Sequence, residues 1–147
     1  MTLQETKFIL LSDHFTLHEL VKSQTAKALG VDNMPDALQI KHLTQLVTHI
    51  LEPARMALGE PIQLSSGFRS KELNHLVHGA KKSQHLSGCA ADIHLRDEAY
   101  GSRLFDILSR NSHVDQLLYE HNGRGVKWIH VSYSRKPRKI INNNYQA

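Results

Sequence analysis

The sequence predicts an α+β fold in which helices pack on a small antiparallel sheet. Helical patterns fill the chain up to about Gly59, and short alternating segments typical of strands appear only after it. The helices therefore come first and strands mixed with helices follow, which is the order of an α+β domain. A length of 147 residues without an internal repeat, a linker or a low-complexity tract predicts one domain, residues 1–147.

Two helices are predicted in the first part of the chain. Thr16 and Glu19 form a capping box, which begins a helix that Gly30 ends. The second helix is predicted over residues 35–57, where apolar residues recur at steps of three and four, as expected of the main core helix. Pro53 lies inside it and is expected to kink or divide it.

The elements after Gly59 follow from alternation and turn residues. Strands are predicted at 61–65, 90–95, 114–120 and 128–133, and helices at 71–77 and 97–110. The last two strands flank the turn Asn-Gly-Arg-Gly at 122–125, which predicts a hairpin with a long loop. Residues 134–147 carry weak signals and are predicted to form a weakly structured tail.

The composition is that of an ordinary globular domain with a modest basic excess. Eighteen basic and 14 acidic residues give a net charge of +4, and 11 residues are histidine. The charge favours a polyanionic partner such as nucleic acid or the bacterial wall. A nucleic-acid binder would also need a basic helix or interleaved aromatic residues, and the sequence has neither. We therefore expect no nucleic-acid partner, and we expect a monomer.

Cysteine content and the N-terminal segment bear on the cellular compartment. The single cysteine, Cys89, cannot form an intramolecular disulfide. The apolar run Phe8–Leu11 is shorter than a signal peptide requires, and no segment reaches the roughly 20 apolar residues of a membrane span. The expectation is synthesis in the cytoplasm without a signal peptide and without membrane insertion.

His85, Asp92 and His130 are the candidate metal ligands. Asp92 lies on one predicted strand and His130 on another, and His85 lies in the loop before the first. If the two strands are neighbours, the three side chains converge. Two imidazoles and a carboxylate suit a catalytic zinc ion, which keeps a fourth position for water. Among 11 histidines, this spacing alone leaves other arrangements open.

Three ordered motifs around these residues resemble the M15 zinc peptidases. They are SGFRS at 66–70, SQHLSGCAAD at 83–92 and WIHVS at 128–132. FTLHEL at 15–20 and DNMP at 32–35 are similar to a branch found in phage and bacterial genomes. The resemblance, which extends to about Tyr133, is to D-alanyl-D-alanine carboxypeptidase-like and phage endolysin-like enzymes. It implies a Hedgehog/DD-peptidase-like fold.

The resemblance also implies roles for individual residues. His85, Asp92 and His130 match the ligands of one zinc ion, and Arg69 matches the arginine that contacts the substrate carbonyl or carboxylate. Ser83 is expected to bind substrate or to cap its loop, and Trp128 to form a substrate platform or to pack in the core.

The expected general base is missing at its usual position. Familiar members carry an acidic residue three positions before the last histidine, where this chain has Lys127. Glu120, across the predicted hairpin from His130, is the expected replacement, with Asp115 as the alternative. Cys89 is interpreted as a small buried residue rather than an additional soft ligand. His94 is either a neighbour of the ligands or an ordinary strand residue.

The function that follows is zinc-dependent hydrolysis of a peptide bond in peptidoglycan stem peptides or cross-links, by a carboxypeptidase or an endopeptidase. The protein would act at the cell wall if it derives from a phage. The alternative is a non-catalytic zinc-containing module on the same fold, which binds the wall or belongs to a phage particle.

Overall fold

A computed structural model describes residues 1–147 and confirms the α+β class. The α-helices are α1 (Leu17–Val21), α2 (Gln24–Leu29), α3 (Ala37–Leu46), α4 (Glu52–Leu58), α5 (Lys71–Leu76) and α6 (Glu98–Ser109). The strands are β1 (Leu10–Ser12), β2 (Phe15–Thr16), β3 (Leu64–Ser66), β4 (Ala90–His94), β5 (Val114–His121), β6 (Lys127–Tyr133) and β7 (Ile140–Gln146). No helix combines the length and the apolar character that crossing a bilayer requires.

The first predicted helix is divided in two. The capping box of Thr16 and Glu19 is present and begins α1. Lys22 then takes an extended conformation, and the Ser23 side chain accepts a hydrogen bond from the Ala26 N–H, which begins α2. Gly30 ends α2 in the left-handed region with φ of 66°. The periodicity missed this break because an internal serine cap leaves the apolar spacing almost unchanged.

The second predicted helix is a nearly continuous helical run with one irregular turn. Between α3 and α4 the chain makes a π turn over Val47–Leu51, and Pro53 follows in the first turn of α4. A proline lacks the N–H of an α-helical hydrogen bond, so a widened turn just before it accommodates the proline with little further loss of backbone hydrogen bonding. Ile50 and Leu51 stay fully buried across the irregularity.

The main sheet has the strand order β3-β4-β6-β5-β7, while β1 and β2 form a separate hairpin. β4 and β5 lie antiparallel to β6, and β7 lies parallel to β5, so one edge departs from the predicted antiparallel pattern. β7 also falls in the segment that we predicted to be weakly structured. All of its residues are exposed, so no apolar alternation marks the strand in the sequence.

Alternation along β4 and β6 divides the sheet into two faces. Ile93, Ile129 and Val131 point towards the helices and are fully buried in the core cluster with Ile50 and Leu104. The intervening residues of the same strands point to the opposite face. That second face carries the polar residues of the candidate site.

Candidate metal centre

The structure brings together the three predicted ligands. Asp92 on β4 and His130 on β6 are direct cross-strand partners, so their side chains share a face. His85 reaches them from a short 3-10 turn, Gln84–Ser87. One donor atom from each residue lies within 4.8 Å of the others, and all three residues are buried.

The distances between the ligand atoms fit a small metal ion with tetrahedral coordination. Oδ1 of Asp92 lies 3.3 Å from Nε2 of His85 and 3.0 Å from Nδ1 of His130. A zinc ion with ligand bonds of about 2.0–2.2 Å holds neighbouring ligand atoms roughly 3.4 Å apart in a tetrahedron. Two nitrogens and a carboxylate oxygen at this spacing are therefore suited to zinc, with one position left for water.

The hydrogen bond made by His85 and the ionisation of Asp92 also suit a metal. Nδ1 of His85 lies 2.6 Å from the Gly67 carbonyl oxygen, which accepts its proton and leaves Nε2 as the free lone pair. Burial alone would raise the pKa of Asp92, but the adjacent His85 and His130 imidazoles outweigh burial and hold that pKa well below its usual range. The carboxylate is therefore ionised at neutral pH.

The loop that carries His85 is fixed to α3. Gln39 donates a hydrogen bond from Nε2 to the Leu86 carbonyl oxygen at 3.2 Å, and Nδ1 of His42 lies 2.8 Å from the Ser87 carbonyl oxygen. Gly88 has φ of 81°, and a Cβ there would lie 2.6 Å from the Gln39 carbonyl oxygen. Only glycine permits this close approach to α3, which explains why position 88, three residues after His85, is a glycine.

Ser83 caps the turn that carries His85. Its Oγ accepts a hydrogen bond from the His85 N–H at 3.2 Å. This contact matches the capping alternative of the sequence analysis. Substrate binding by the hydroxyl stays a prediction.

Arg69 lies beside Asp92, in the turn that follows β3. Its Nη2 donates to Asp92 Oδ2 at 3.2 Å, its Nε to Ser66 Oγ at 3.1 Å and its Nη1 to Asn74 Oδ1 at 3.1 Å. A guanidinium has five N–H groups, so these three bonds leave two for another acceptor. The arginine therefore both contacts a candidate ligand and keeps donors for a substrate oxygen.

Asn33 fixes the turn on both sides of Arg69. Its Nδ2 donates to the Phe68 carbonyl oxygen at 3.1 Å and to the Val21 carbonyl oxygen at 2.8 Å, and its Oδ1 accepts from the Ser70 N–H at 2.7 Å. In the sequence, Asn33 stands out only as part of the DNMP motif. A buried amide cannot be recognised from a sequence, because the same Asn-Met-Pro pattern suits an exposed turn.

Glu120 and Trp128 lie on the same face as the ligands. Glu120 pairs with Trp128 across β5 and β6, and the neighbouring pair on that face is Leu118 with His130. Burial raises the pKa of Glu120, the Asp92 carboxylate adds to the rise, and His130 and Arg69 oppose it. Trp128 is half-buried, so its ring is partly available to a ligand.

Asp115 is engaged elsewhere. Only 1% of the residue is exposed, and its carboxylate accepts hydrogen bonds from Gln84 Nε2 and from the backbone and guanidinium of Arg138. Bonding to Arg138 lowers the pKa of Asp115. This carboxylate anchors the segment before β7, which disfavours Asp115 as the alternative base.

Lys127 points away from the centre. It lies three residues before His130, so alternation along β6 places it on the opposite face, where Nζ binds Glu98 at 2.6 Å. Cys89 is half-buried and lies outside the metal-ligand group, and burial raises the pKa of its thiol. His94 is exposed at the end of β4.

One comparison with known proteins gives a match. The sequence model of a family described as Peptidase M15 matches residues 13–132. This range contains the three candidate ligands, Arg69 and Glu120, and it excludes β7. No curated protein matches the chain.

Proposed function

Because the chain belongs to the Peptidase M15 family, we propose that it hydrolyses a peptide bond in bacterial peptidoglycan with one zinc ion. His85, Asp92 and His130 would hold this ion. M15 peptidases depend on a metal, so the chain is a metallopeptidase. The observation that carries the proposal is the convergence of two imidazoles and an ionised carboxylate at ligand spacing. The bound ion would lower the pKa of water and polarise the scissile carbonyl.

Arg69 would orient the substrate. Its side chain is 15% exposed, and its guanidinium is fixed by Ser66, Asn74 and Asp92 with two N–H groups left free. A planar, permanently charged fork held in this way can donate hydrogen bonds to a carbonyl or carboxylate oxygen without reorganising during the reaction. Rigid placement is what gives such a contact its value in the transition state.

Glu120 would move the proton. A carboxylate with a raised pKa accepts a proton from the attacking water and returns it to the leaving amine. The face of the sheet that Glu120 shares with His130 supports this role. It would replace the acid that is missing at Lys127.

Mass spectrometry of muropeptides tests the proposed function. The purified chain, loaded with zinc, is expected to produce shortened peptides with a new amine or carboxyl end. A chelator should abolish the products and added zinc should restore them. His85→Ala should be inactive, while His75→Ala, an exposed histidine on α5, should match the unmodified protein. Persistent hydrolysis by the metal-free protein would overturn the proposal.

The second candidate is a wall-binding module that holds zinc without turnover. Lys127 favours this candidate, because it stands where family members carry the catalytic acid and forms an ion pair with Glu98 instead. It predicts that the zinc-loaded chain binds wall fragments and releases no product. The same mass spectra separate the two functions.

A further inference from the structure

A cleft of about 830 Å³ opens next to Arg69. It is lined by the edge strand β3 with the residue before it, Gln63, and by residues of the N-terminal segment, of α1 and of α2. Ser66 and Arg69 also line it, and the Arg69 guanidinium bonds to both Ser66 and Asp92. Arg69 therefore lies between the cleft and the candidate metal centre, because it lines the cleft and its guanidinium also bonds to Asp92.

The cleft is positively charged. Lys7, Lys22 and Lys27 line it together with Arg69, and no aspartate or glutamate is among the lining residues. None of the three lysines takes part in an ion pair. Burial lowers the pKa of His18 in the same cleft, and Lys7 and Lys22 lower it further, as expected where positive potential accumulates.

The shape of the cleft favours a polypeptide. β3 has a neighbour, β4, on one side only, so its other side is a sheet edge along which an extended chain can lie. Gln63, Ser65 and Ser66 add polar side chains along that edge. A volume of this size holds a ligand of several hundred daltons rather than a single ion.

We propose that this cleft is a subsite for acidic peptide, and that its lysines bind free carboxylates of the substrate while the scissile bond lies beyond Arg69. The inference rests on the proposed function, because it assigns the peptide chain in the cleft and the bond at the metal to one molecule. It predicts that peptides whose side-chain and α-carboxyl groups are free are preferred to the same peptides with amidated carboxyl groups.

Two matched stem peptides test the subsite, one with free carboxylates and one with carboxamides. Dissociation constants are measured by calorimetry on the metal-free full chain, so that binding is observed without turnover. We expect the carboxylate peptide to bind about tenfold more tightly, and the difference to shrink at high salt because exposed charges are screened. KM should follow the same order in the zinc-loaded protein.

The triple variant Lys7→Gln, Lys22→Gln, Lys27→Gln should remove the preference. The control Lys41→Gln, Arg135→Gln, Lys136→Gln loses the same charge at exposed residues outside the cleft and should keep it. Equal affinity for both peptides, or equal losses in the two variants, would overturn the subsite. So would tight, lysine-dependent binding of a glycerol phosphate polymer with no preference between the peptides. Absence of hydrolysis with the preference intact would instead count against the proposed reaction alone.

Discussion

Asp92 connects the candidate metal ligands to the candidate substrate arginine. One carboxylate oxygen faces both imidazoles, and the other accepts a hydrogen bond from Arg69. The negative charge therefore lies beside both candidate imidazole ligands and beside the guanidinium. Removal of that charge without a change of shape should affect all of them.

Asp92→Asn is expected to weaken zinc binding by at least about 100-fold, because a neutral amide is a poor zinc ligand and withdraws the partner of Arg69. Competition with a chromophoric chelator measures the affinity. Asp106→Asn, an exposed aspartate on α6, is the control. Unchanged zinc affinity in Asp92→Asn would exclude the carboxylate as a ligand.

Glu120→Gln is expected to bind zinc normally and to lose about 100- to 10,000-fold in kcat, the usual contribution of a positioned general base. Metal stoichiometry and turnover are measured on the same sample. Glu98→Gln, which removes the partner of Lys127 on the opposite face, should keep kcat. If Glu120→Gln turns over normally, another group must move the proton.

At the scale of elements, the turn after β3 is held by a side chain from the connection between α2 and α3. The three hydrogen bonds of Asn33 fix the carbonyl before Arg69 and the N–H after it. The carbonyl bond is buried and the N–H bond is part-buried, so the loss of the amide leaves these backbone groups without that partner. The order of the turn therefore depends on residues far away in the sequence.

Asn33→Ala should lower the free energy of unfolding by roughly 2–4 kcal/mol. It should also lower kcat/KM, because Arg69 loses its fixed position. Urea denaturation and peptide hydrolysis provide the two readouts. Asn122→Ala, a substitution in the exposed β5–β6 turn, should leave kcat/KM unchanged. A stable Asn33→Ala protein with full activity would contradict this role.

The contact of Asp115 with Arg138 predicts a pH-dependent stability. The pKa of Asp115 is lowered in the folded protein, so its ionised form contributes stability above the unfolded value, which lies near pH 4, and that stability is lost as the pH falls through the folded pKa. Asp115→Asn should therefore destabilise the protein at pH 7 and converge with the unmodified protein in acid. A constant difference in unfolding free energy from pH 7 to pH 2 would contradict this assignment.

At the scale of the molecule, the three candidate ligands join a loop to two neighbouring inner strands of the five-stranded sheet, β4 and β6, whose other face packs in the core. A metal that binds only the folded protein stabilises it in proportion to the logarithm of its concentration over Kd. Zinc at about 1,000 times Kd should raise Tm by roughly 10 °C. Calorimetry with and without a chelator measures the shift, and His85→Ala should abolish it.

Sequence patterns predicted the helices and strands that bury one face in the hydrophobic core. Strand β4 and helix α6 were placed within a residue or two because apolar alternation and helical spacing follow directly from packing on the core. β7 was missed because a fully exposed strand has no such pattern and depends on the distant contact of Arg138 with Asp115.

The candidate site was predicted only in part, for a related reason. The ligand types are visible in the motifs, but their convergence depends on the pairing of Asp92 with His130 across β4 and β6. The sequence does not reveal the structural roles of Asn33 and Asn74, because a polar residue acquires such a role only when the fold buries it. Sequence spacing carries no information on that burial.

The strand order has a consequence for how such a protein can diversify. β4 and β6, which carry two of the ligands, are neighbours inside the sheet, while Arg69 follows β3 on one side of this pair and Glu120 lies on β5 on the other. Mutations in the flanking strands and their loops can shift the groups that handle substrate while the ligand spacing is kept. The centre would then be inherited with little change, and new substrate preferences would arise at its margins.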